Sequence, residues 1–597
     1  MNADYIIVGG GTAGLVLAAR LSEDPDTSVI VLESGQNLNE DARVLIPALW
    51  TTLMGSEADW QFQTVPQAEL GGRIIKEPQG KMLGGSSGIN GQAFIAPSQA
   101  GINAWAKFGN PEWTWESLLP YYKKAYTLHL PDDETQKHLG IDWVDHTVCG
   151  GDGPIQVSFP GIIQNPLAKA WIDAFKSLDY NTTADPFSGK SVGGYSNTAT
   201  VNPATKTRSF AGLEYGIPAL KRPNVKIITG GLVSKIILET TQDGVLAKGV
   251  EVDINNDRQQ VQAGREVIIS AGALNTPKLL ELSGIGNRDI LSNFDIPVVI
   301  ENAGVGENLQ DHLMSGISFE VVEDVLTGDP LLRQEPDAIQ AAMQLYTEHK
   351  AGPMTIGGVQ SSAFMPMLEF SGDAGAQAKK ELFDTYITDS EHDQIVRSIY
   401  DDPDEATCSM FMFLAQANLH DEGKSFVGKE LLPGNFASLG LSQCIPFSRG
   451  NTHISSSSPT DKPCINPRFF SHPLDLEIMS RNLLDVERLQ KLDAFSKYFK
   501  PDGQRNHPDA LLTDLESAKK YLRDTAATTY HSSGTAAMLP REKGGVVDQN
   551  LIVYGTKNLR VCDASVFPLI TRGNIMSTVY AVAERAADII KGAASNR

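Results

Sequence analysis

The sequence predicts two kinds of fold in one chain, an α/β region built on a parallel sheet and an α+β region built on an antiparallel sheet. At the N-terminus a strand, a glycine-rich turn, a helix and a second strand follow one another. Two similar strand–turn–helix units come later, at 266–286 and 558–590. The stretches 150–220 and 320–540 lack such units, and their alternating polar and apolar segments are typical of antiparallel strands.

Length and composition predict a globular protein with two large domains. The chain has 597 residues, more than a single hydrophobic core usually serves. Its 50 Lys and Arg against 72 Asp and Glu give a formal charge of −22, which repels phosphate backbones and anionic membranes. We therefore expect no nucleic-acid partner. Because no apolar run reaches the length of a transmembrane helix, we also expect no membrane insertion.

Five widely spaced cysteines, without a CxxC pair, predict neither a metal site nor a disulfide framework. The sequence leaves open whether two of the last four cysteines form a disulfide. Because MNADYIIVGGG leads directly into a strand rather than a signal peptide, we expect a cytoplasmic location, or a secreted one if a leader was removed. The glycosylation tripeptide at Asn181 would matter only in a secreted protein.

The N-terminal unit has the pattern of a Rossmann-like dinucleotide site, G-x-G-x-x-G between two strands. Gly9 would make the tight turn, Gly11 would let the backbone approach a pyrophosphate, and Gly14 would let helix and strand pack closely. The unpaired N–H groups at the helix start suit phosphate oxygens. Glu33, which ends the second strand, is placed to accept a hydrogen bond from a ribose hydroxyl, which argues against NADP. The unit alone does not choose between FAD and NAD.

Three further segments bear on the cofactor. GKMLGGSSGINGQAF at 80–94 is a second glycine-rich loop, too loose for a helix and unusually flexible for a surface loop without a ligand. At 266–286 the strand EVIIS leads through a glycine turn into a helix that stops at Gly284. At 558–590 a strand ends in Asp563, an irregular loop follows, and a long amphipathic helix closes the unit.

On these segments the chain resembles the glucose–methanol–choline (GMC) oxidoreductases over essentially its full length. Both signature stretches of that family stand here, at 80–103 and at 272–286. VGENLQDH at 305–312 and the closing AERAADII also match its pattern.

The resemblance implies FAD rather than NAD, bound in an extended pose. The adenosine would lie at Gly9–Gly14 and Glu33, backbone groups at Val233 would hold the adenine, and the isoalloxazine would lie near 84–94 and 574–578. The residues expected to bind the cofactor are Gly9, Gly11, Thr12, Ala13, Gly14, Glu33, Ser34, Met82, Gly84, Gly85, Ser86, Asn90, Gly91, Ala93, Val233, Ser270, Ala271, Asp563, Ala564, Asn574, Met576 and Ser577.

Some members of the family tether FAD covalently through a histidine in the first signature loop. Here Ile89 stands where that histidine would be expected, and no histidine precedes His129. We therefore predict non-covalent FAD.

The resemblance also implies an FAD-binding Rossmann-like α/β domain and an α+β substrate domain whose antiparallel sheet forms a roof over the flavin. We assign the FAD-binding domain to 1–149, 223–315 and 541–597, and the substrate domain to 150–222 and 316–540.

The predicted catalytic pair is His531, in TTYHSSGTAAM, and Asn574, in RGNIMST. The GMC family, which the chain resembles, has its active-site histidine in such an H-x-x-G-T stretch. At the position of Asn574 the family has either His or Asn. An imidazole titrating near neutrality can take the hydroxyl proton of an alcohol, and an amide N–H can stabilise the developing alkoxide. The hydride would pass to the flavin N5. Tyr530, beside the base, either lines the substrate cavity or is a packed aromatic residue.

In the substrate half, GDGPIQVSF, SGISFEVVED and GNTHISSSS alternate as antiparallel strands do, and 474–490 is an amphipathic helix. ATCSMFMFLAQ at 406–416 is apolar enough to be a central strand facing the cavity, which would suit an apolar or aromatic alcohol. A core strand has the same pattern.

Two other functions have partial support in the sequence. GKSVG at 189–193 fits the nucleophile pattern G-x-S-x-G, but it lacks the preceding strand and following helix that a hydrolase needs. A lyase or decarboxylase of the same fold that retains FAD is the more serious alternative. Whether O2 or another acceptor removes the electrons stays open, as does the oligomeric state.

Overall fold

The computed structural model describes residues 1–159, 165–180, 182, 184–242, 244–255, 257–417 and 431–595. A mixed sheet in these segments has seven strands. They run in the order Val225–Thr229, Val29–Glu33, Asn2–Val8, Asp257–Ile269, Gly244–Ile254 and Gly231–Thr241, with Leu559–Val561 beside the end of Asp257–Ile269. The first four of these strands pair in parallel and are the part that helices cover. The two strands of the hairpin 231–254 extend the sheet by antiparallel pairing with Asp257–Ile269 and with each other.

Three helices pack together on the mixed sheet, Thr12–Leu21, Trp115–Ala125 and Met576–Ser595. The strands that they cover are rich in β-branched residues that are buried on both faces, as a covered parallel sheet requires. Ile6 and Ile7 are fully buried, and burying such a side chain contributes about 1.5–3 kcal/mol.

A second sheet of six strands is antiparallel throughout. Its order is Ala527–Thr528, Leu313–Glu320, Phe436–Gln443, Cys408–Phe413, Ser361–Met365 and Gly193–Ser196. The helices Pro166–Ser177, Pro473–Gln490 and Leu515–Thr525 pack against one face. On the central strand Cys408–Phe413, Met410 and Met412 face these helices, and Phe411 and Phe413 line a cavity. Both interpretations of 406–416 therefore hold, one for each face.

The remaining elements connect the two sheets. A four-stranded sheet contains Ala93–Phe94, Thr198–Ala199, Ile155–Ser158 and Tyr126–His129, and three strand pairs are Phe62–Gln63 with Lys76–Glu77, Ile285–Gly286 with Ile300–Glu301, and Asn451–His453 with Cys464–Asn466. Further helices are Ala42–Leu45, Ser86–Ile89, Gln99–Lys107, Asp133–Leu139, Ile217–Leu220, Asn275–Leu282, Arg288–Asn293, Asp329–Leu332, Pro336–His349, Gly372–Tyr386, Glu391–Tyr400 and Asp493–Ser496.

The predicted fold class is confirmed, with two local corrections. The loop 80–94 is not entirely without helix, because it contains one helical turn, Ser86–Ile89, which Gly85 starts with a φ of 54°. The segment GDGPIQVSF forms the strand Ile155–Ser158, but its main partner, Tyr126–His129, runs parallel to it. Alternating polar and apolar residues indicate a strand that is buried on one face. They do not determine whether the neighbouring strand runs parallel or antiparallel to it.

The predicted domain boundaries stay a prediction, and the strand Leu313–Glu320 spans the one at 315/316. All five cysteines lie in described segments and are free. Asn181 lies outside the described residues. Among the described helices, none is both long and apolar enough to cross a bilayer. No group of three His, Cys, Asp or Glu side chains in the described segments could hold a metal ion.

Candidate active site

A large cavity lies between the mixed sheet and the antiparallel sheet. Counting its open mouth, it contains about 2440 Å³ of space between atoms. Residues of the glycine turn at 9–13 line one part of it, and residues of the antiparallel sheet line another. The cavity therefore extends from the glycine turn to the antiparallel sheet, which suits a long cofactor with a substrate beyond it.

The glycine turn at the start of the first helix forms a cradle at one end of this cavity. Gly9 has a φ of 105°, and a side chain at Gly14 would meet the Gly9 carbonyl oxygen at 2.0 Å, so both positions require glycine. At Gly11 an added Cβ would have only Gly85 Cα near it, at 3.7 Å, and would point into open space. The helix Thr12–Leu21 has no side-chain cap on its first N–H groups. Those donors are therefore available to phosphate oxygens.

Glu33 lies beside this turn at the end of its strand. Its Oε2 accepts the N–H of Gly10 at 2.8 Å, and its Oε1 accepts the N–H of Gly35 at 2.6 Å. Burial raises the pKa of this carboxyl to about 7, although both N–H groups oppose the shift. The group is held in place at the cavity wall, where a ribose hydroxyl would find an acceptor.

The second glycine loop is fixed by a buried arginine whose hydrogen-bond partners in the described segments include no carboxylate. Arg208 donates through Nη1 to the carbonyl and to Oδ1 of Asn90, at 2.7 and 2.8 Å, and through Nε to the Val44 carbonyl at 2.9 Å. The Nδ2 of Asn90 contacts the Met576 Sδ at 3.0 Å. This arrangement joins the loop 80–94 to the start of the last helix, the two places at which the isoalloxazine was expected.

Asp563 joins the other two predicted segments. Its Oδ2 accepts the Gly272 N–H at 2.9 Å and the Thr276 hydroxyl at 2.6 Å, and its Oδ1 accepts the Ser565 N–H at 2.8 Å. The strand–turn–helix units at 266–286 and 558–590 are thereby held together at the cavity wall.

His531 and Asn574 come together at the substrate side of the cavity. The Nδ2 of Asn574 lies 3.1 Å from the Nε2 of His531, although 43 residues separate them. Burial lowers the pKa of His531 well below its usual value, and His312 adds to the effect. The imidazole is therefore neutral at neutral pH, with one unprotonated nitrogen.

The backbone that carries His531 is strained and firmly held. Tyr530 has a φ of 67°, a left-handed conformation that is costly for an aromatic residue. The Oγ1 of Thr528 accepts the Tyr530 N–H at 2.7 Å, and the Gln79 amide donates to the Tyr530 carbonyl at 3.3 Å. Asp311 accepts the His531 N–H at 2.9 Å. Tyr530 itself lines the cavity.

Two buried carboxyl groups, Glu77 and Asp311, meet behind this segment. Asp311 also accepts the Thr528 hydroxyl, and Glu77 accepts the Ser532 hydroxyl at 3.2 Å. Burial together with the Asp311 charge raises the pKa of Glu77 well above its usual value, and burial raises the pKa of Asp311 to about 7. Two adjacent carboxylates cannot both ionise cheaply away from water, so the pair retains a proton at neutral pH.

Most of the predicted site residues line the cavity, and four do not. Those that line it are Gly9, Gly11, Thr12, Ala13, Glu33, Ser34, Gly85, Ser86, Asn90, Gly91, Ala93, Val233, Ser270, Ala271, Tyr530, His531, Asp563, Ala564, Asn574 and Met576. The four that do not line it support the surrounding structure: Gly14 packs on Gly9, Met82 is in a small core cluster, Gly84 is against the Phe210 ring, and Ser577 donates to the Ile95 carbonyl.

Several residues around the site were not predicted from the sequence. Trp50 and Gln79 line the cavity, and Glu77 and His312 lie behind it. His312 ends the matched stretch VGENLQDH and could have been singled out there. No sequence signal places Glu77 or Trp50 near a residue more than 450 positions away.

Comparison with known proteins relates this geometry to a family. The models of the GMC oxidoreductase N- and C-terminal domains match residues 3–314 and 446–583. The dehydrogenase citC of Monascus ruber is 35% identical over 98% of this chain and 96% of its own length.

Two solved oxidase structures are also similar over nearly the full length. A mutant formate oxidase from Aspergillus oryzae, studied for modification of its FAD, superposes with a TM-score of 0.86 and 27% identity over 100% of this chain and 99% of its own. A fungal aryl-alcohol oxidase superposes with a TM-score of 0.80 and 26% identity over 98% of each chain.

The residues present fit FAD. The open space at Gly11, the uncapped helix start and the buried Glu33 carboxyl supply what a dinucleotide requires, and the cavity continues from there to His531. Together with the matched family models, these observations establish that this chain belongs to the GMC oxidoreductases, a family of FAD-dependent oxidoreductases.

Proposed function

We propose that this protein oxidises the CH–OH group of a small alcohol to an aldehyde or ketone, with His531 as the base. The observation that carries the proposal is the contact of His531 Nε2 with Asn574 Nδ2 at 3.1 Å. An alcohol oxygen that replaces this contact can give its proton to His531 while it accepts the amide N–H of Asn574. When bound, FAD supplies the acceptor for the hydride.

The two residues have separate duties. The neutral His531 can take the hydroxyl proton. Asn574 cannot titrate, so its amide stabilises negative charge on the oxygen without competing for that proton. The pair therefore suits proton removal from a hydroxyl group.

The cavity favours an apolar or aromatic alcohol. The antiparallel sheet contributes Met314, Phe411 and Phe413 to the lining, and Trp50 adds another aromatic ring. The charged lining residues in the described segments are Glu33, Lys278 and Asp563, all from the mixed sheet or the helix and turn next to it. Because no cation among them belongs to the antiparallel-sheet part, a formate-like anion is a weaker candidate.

The electron acceptor and the FAD linkage follow the same proposal. The relative is named a dehydrogenase and the two solved structures are named oxidases, so O2 and another acceptor both remain candidates. The yield of peroxide per turnover, with and without a quinone, separates them.

Ile89 in the first signature loop supports non-covalent FAD. The cytoplasmic location stays a prediction.

Anaerobic mixing with benzyl alcohol, 1-hexanol and formate tests the function. We expect the alcohols to bleach the flavin absorbance and formate to leave it unchanged. His531→Ala should lower the bleaching rate constant by about 10²–10⁴-fold, the usual value of a general base, with the FAD content unchanged.

The matched control is His349→Ala, an exposed histidine at the end of Pro336–His349. It should bleach at the parent rate. A flavin that formate reduces and alcohols do not, or a His531→Ala enzyme within a few-fold of the parent, would contradict the proposal. A lyase or decarboxylase would leave the flavin oxidised with every alcohol.

A further inference from the structure

A second histidine lies directly behind the proposed base. His312 is 1% exposed and immediately precedes the strand Leu313–Glu320. Its Nδ1 is 3.0 Å from the Nδ1 of His531, and its Nε2 is 2.9 Å from the carbonyl oxygen of Cys444. The planes of the two rings are perpendicular, at 89°.

These contacts determine which nitrogens carry protons. A carbonyl oxygen can only accept, so the Nε2 of His312 is the protonated nitrogen of that ring. Burial lowers the pKa of His312 to about 4, against the opposing effect of its bond to Cys444, so the ring is neutral and its Nδ1 is an acceptor. The Nδ1 of His531 must then donate. Its Nε2 is left unprotonated beside Asn574.

The hydroxyl of Thr529 agrees with this assignment. Its Oγ1 lies 3.0 Å from the His312 carbonyl oxygen and 2.7 Å from the Nδ1 of His531. When the hydroxyl donates to the carbonyl, its oxygen can accept only from the His531 Nδ1–H. Both neighbours of that nitrogen are therefore acceptors.

We propose that His312 is a positioning residue that holds His531 in the Nδ1–H tautomer and so directs its unprotonated Nε2 at the alcohol. This inference rests on the proposed role of His531 and deepens it. His312 takes the place that a carboxylate has in a Ser-His-Asp triad, where it orients the base and fixes its tautomer. Here the acceptor is the uncharged ring of His312. The nearby carboxylate, Asp311, binds the backbone N–H of His531 and not its ring.

Two substitutions separate acceptor function from simple packing. His312→Leu removes the ring acceptor and leaves the Thr529 Oγ1, and His312→Asn can present Oδ1 near the place of Nδ1. We expect His312→Leu to lower the anaerobic bleaching rate constant at saturating benzyl alcohol on the order of 10-fold, since one of the two hydrogen bonds that set the tautomer preference is lost. The half-saturating alcohol concentration and the FAD absorbance should change little. His312→Asn should recover to within a few-fold of the parent.

A double variant keeps the test decisive if His312→Leu is also less stable. If His312 acts only through His531, then adding His312→Leu to His531→Ala should cause no further loss of rate. A further loss of the same size as in the single variant, a His312→Asn enzyme as slow as His312→Leu, or a His312→Leu enzyme at the parent rate would overturn the inference. Failure of the proposed function is distinguishable, because His531→Ala would then remain active by itself.

Discussion

At the scale of single residues, the buried carboxyl pair Glu77 and Asp311 has the clearest consequence. The pair supports the strained segment that carries His531, and it retains a proton at neutral pH. In the unfolded chain both groups are exposed and ionise below about pH 5. A pKa that is raised in the folded state means that the stabilisation is present at low pH and lost as the pH rises through the folded value.

We therefore expect Glu77→Gln, which carries a permanent amide N–H in place of the shared proton, to become more stable relative to the parent as the pH rises from 5 to 8. Each proton retained only by the folded parent changes its free energy of unfolding by at most about 1.4 kcal/mol per pH unit. Urea unfolding at four pH values measures the difference. Glu69→Gln, an exposed site in the same region, is the control. A difference that does not vary with pH would show that the pair holds no proton.

At the scale of elements, the carboxylate of Glu584 connects three helices. Glu584 on the helix Met576–Ser595 is fully buried. Its oxygens accept from Arg20 of the first helix at 2.8 Å and from the Tyr215 hydroxyl at 2.9 Å, and Lys124 of Trp115–Ala125 lies 3.2 Å away. The last helix, which also starts at the cavity with Met576, is thereby attached to the helix that follows the glycine turn.

Removing that carboxylate should destabilise the protein, because Arg20 and the buried Tyr215 hydroxyl lose their closest acceptor, although Glu23 still pairs with Arg20 and Asp588 with Lys124. We expect Glu584→Ala to lower the free energy of unfolding by about 1–3 kcal/mol, the usual cost of leaving a buried donor without its acceptor. Asp588→Ala removes an exposed partner of Lys124 one turn further along the same helix, and should cost less than about 1 kcal/mol. Urea unfolding of the FAD-loaded protein compares them. Equal losses would contradict a special role for Glu584.

At the scale of the whole molecule, the cavity is built by both sheets and by segments from residue 8 to residue 579. A ligand in it contacts parts that are far apart in the chain, so binding should stabilise the folded molecule as a unit. A ligand present at 100 times its Kd adds about 2.7 kcal/mol.

We expect acid precipitation to leave FAD in the supernatant, as non-covalent binding requires, and the refolded apoprotein to unfold at higher temperature when FAD is added back. Gly11→Ala should need more FAD for the same rise, since its methyl group enters the cavity without meeting protein atoms closer than 3.7 Å. Gly592→Ala is the control, since no atom of the described residues lies within 4 Å of the added methyl group. FAD that stays with the precipitate would contradict the prediction, and so would a Gly11→Ala titration identical to the parent.

Local patterns were sufficient for much of the fold and for one end of the site. The strand, glycine turn, helix and acidic strand end at 2–33 lie where the sequence predicts them, because each depends on interactions within a few residues. The family resemblance added the expectation that His531 and Asn574 act together, and the structure places them 3.1 Å apart.

Only the tertiary structure brought His312, Glu77 and Trp50 to the site, and only it showed that Met82 and Gly84 lie behind the cavity wall. The chain itself determined which segments become strands, turns and helices, and therefore where a dinucleotide can bind. The contact of His312 with His531 and that of Glu77 with Asp311 each join residues more than two hundred positions apart. Those contacts exist only once the sheets have packed and excluded water, because burial is what shifts a pKa and makes each hydrogen-bond partner obligatory.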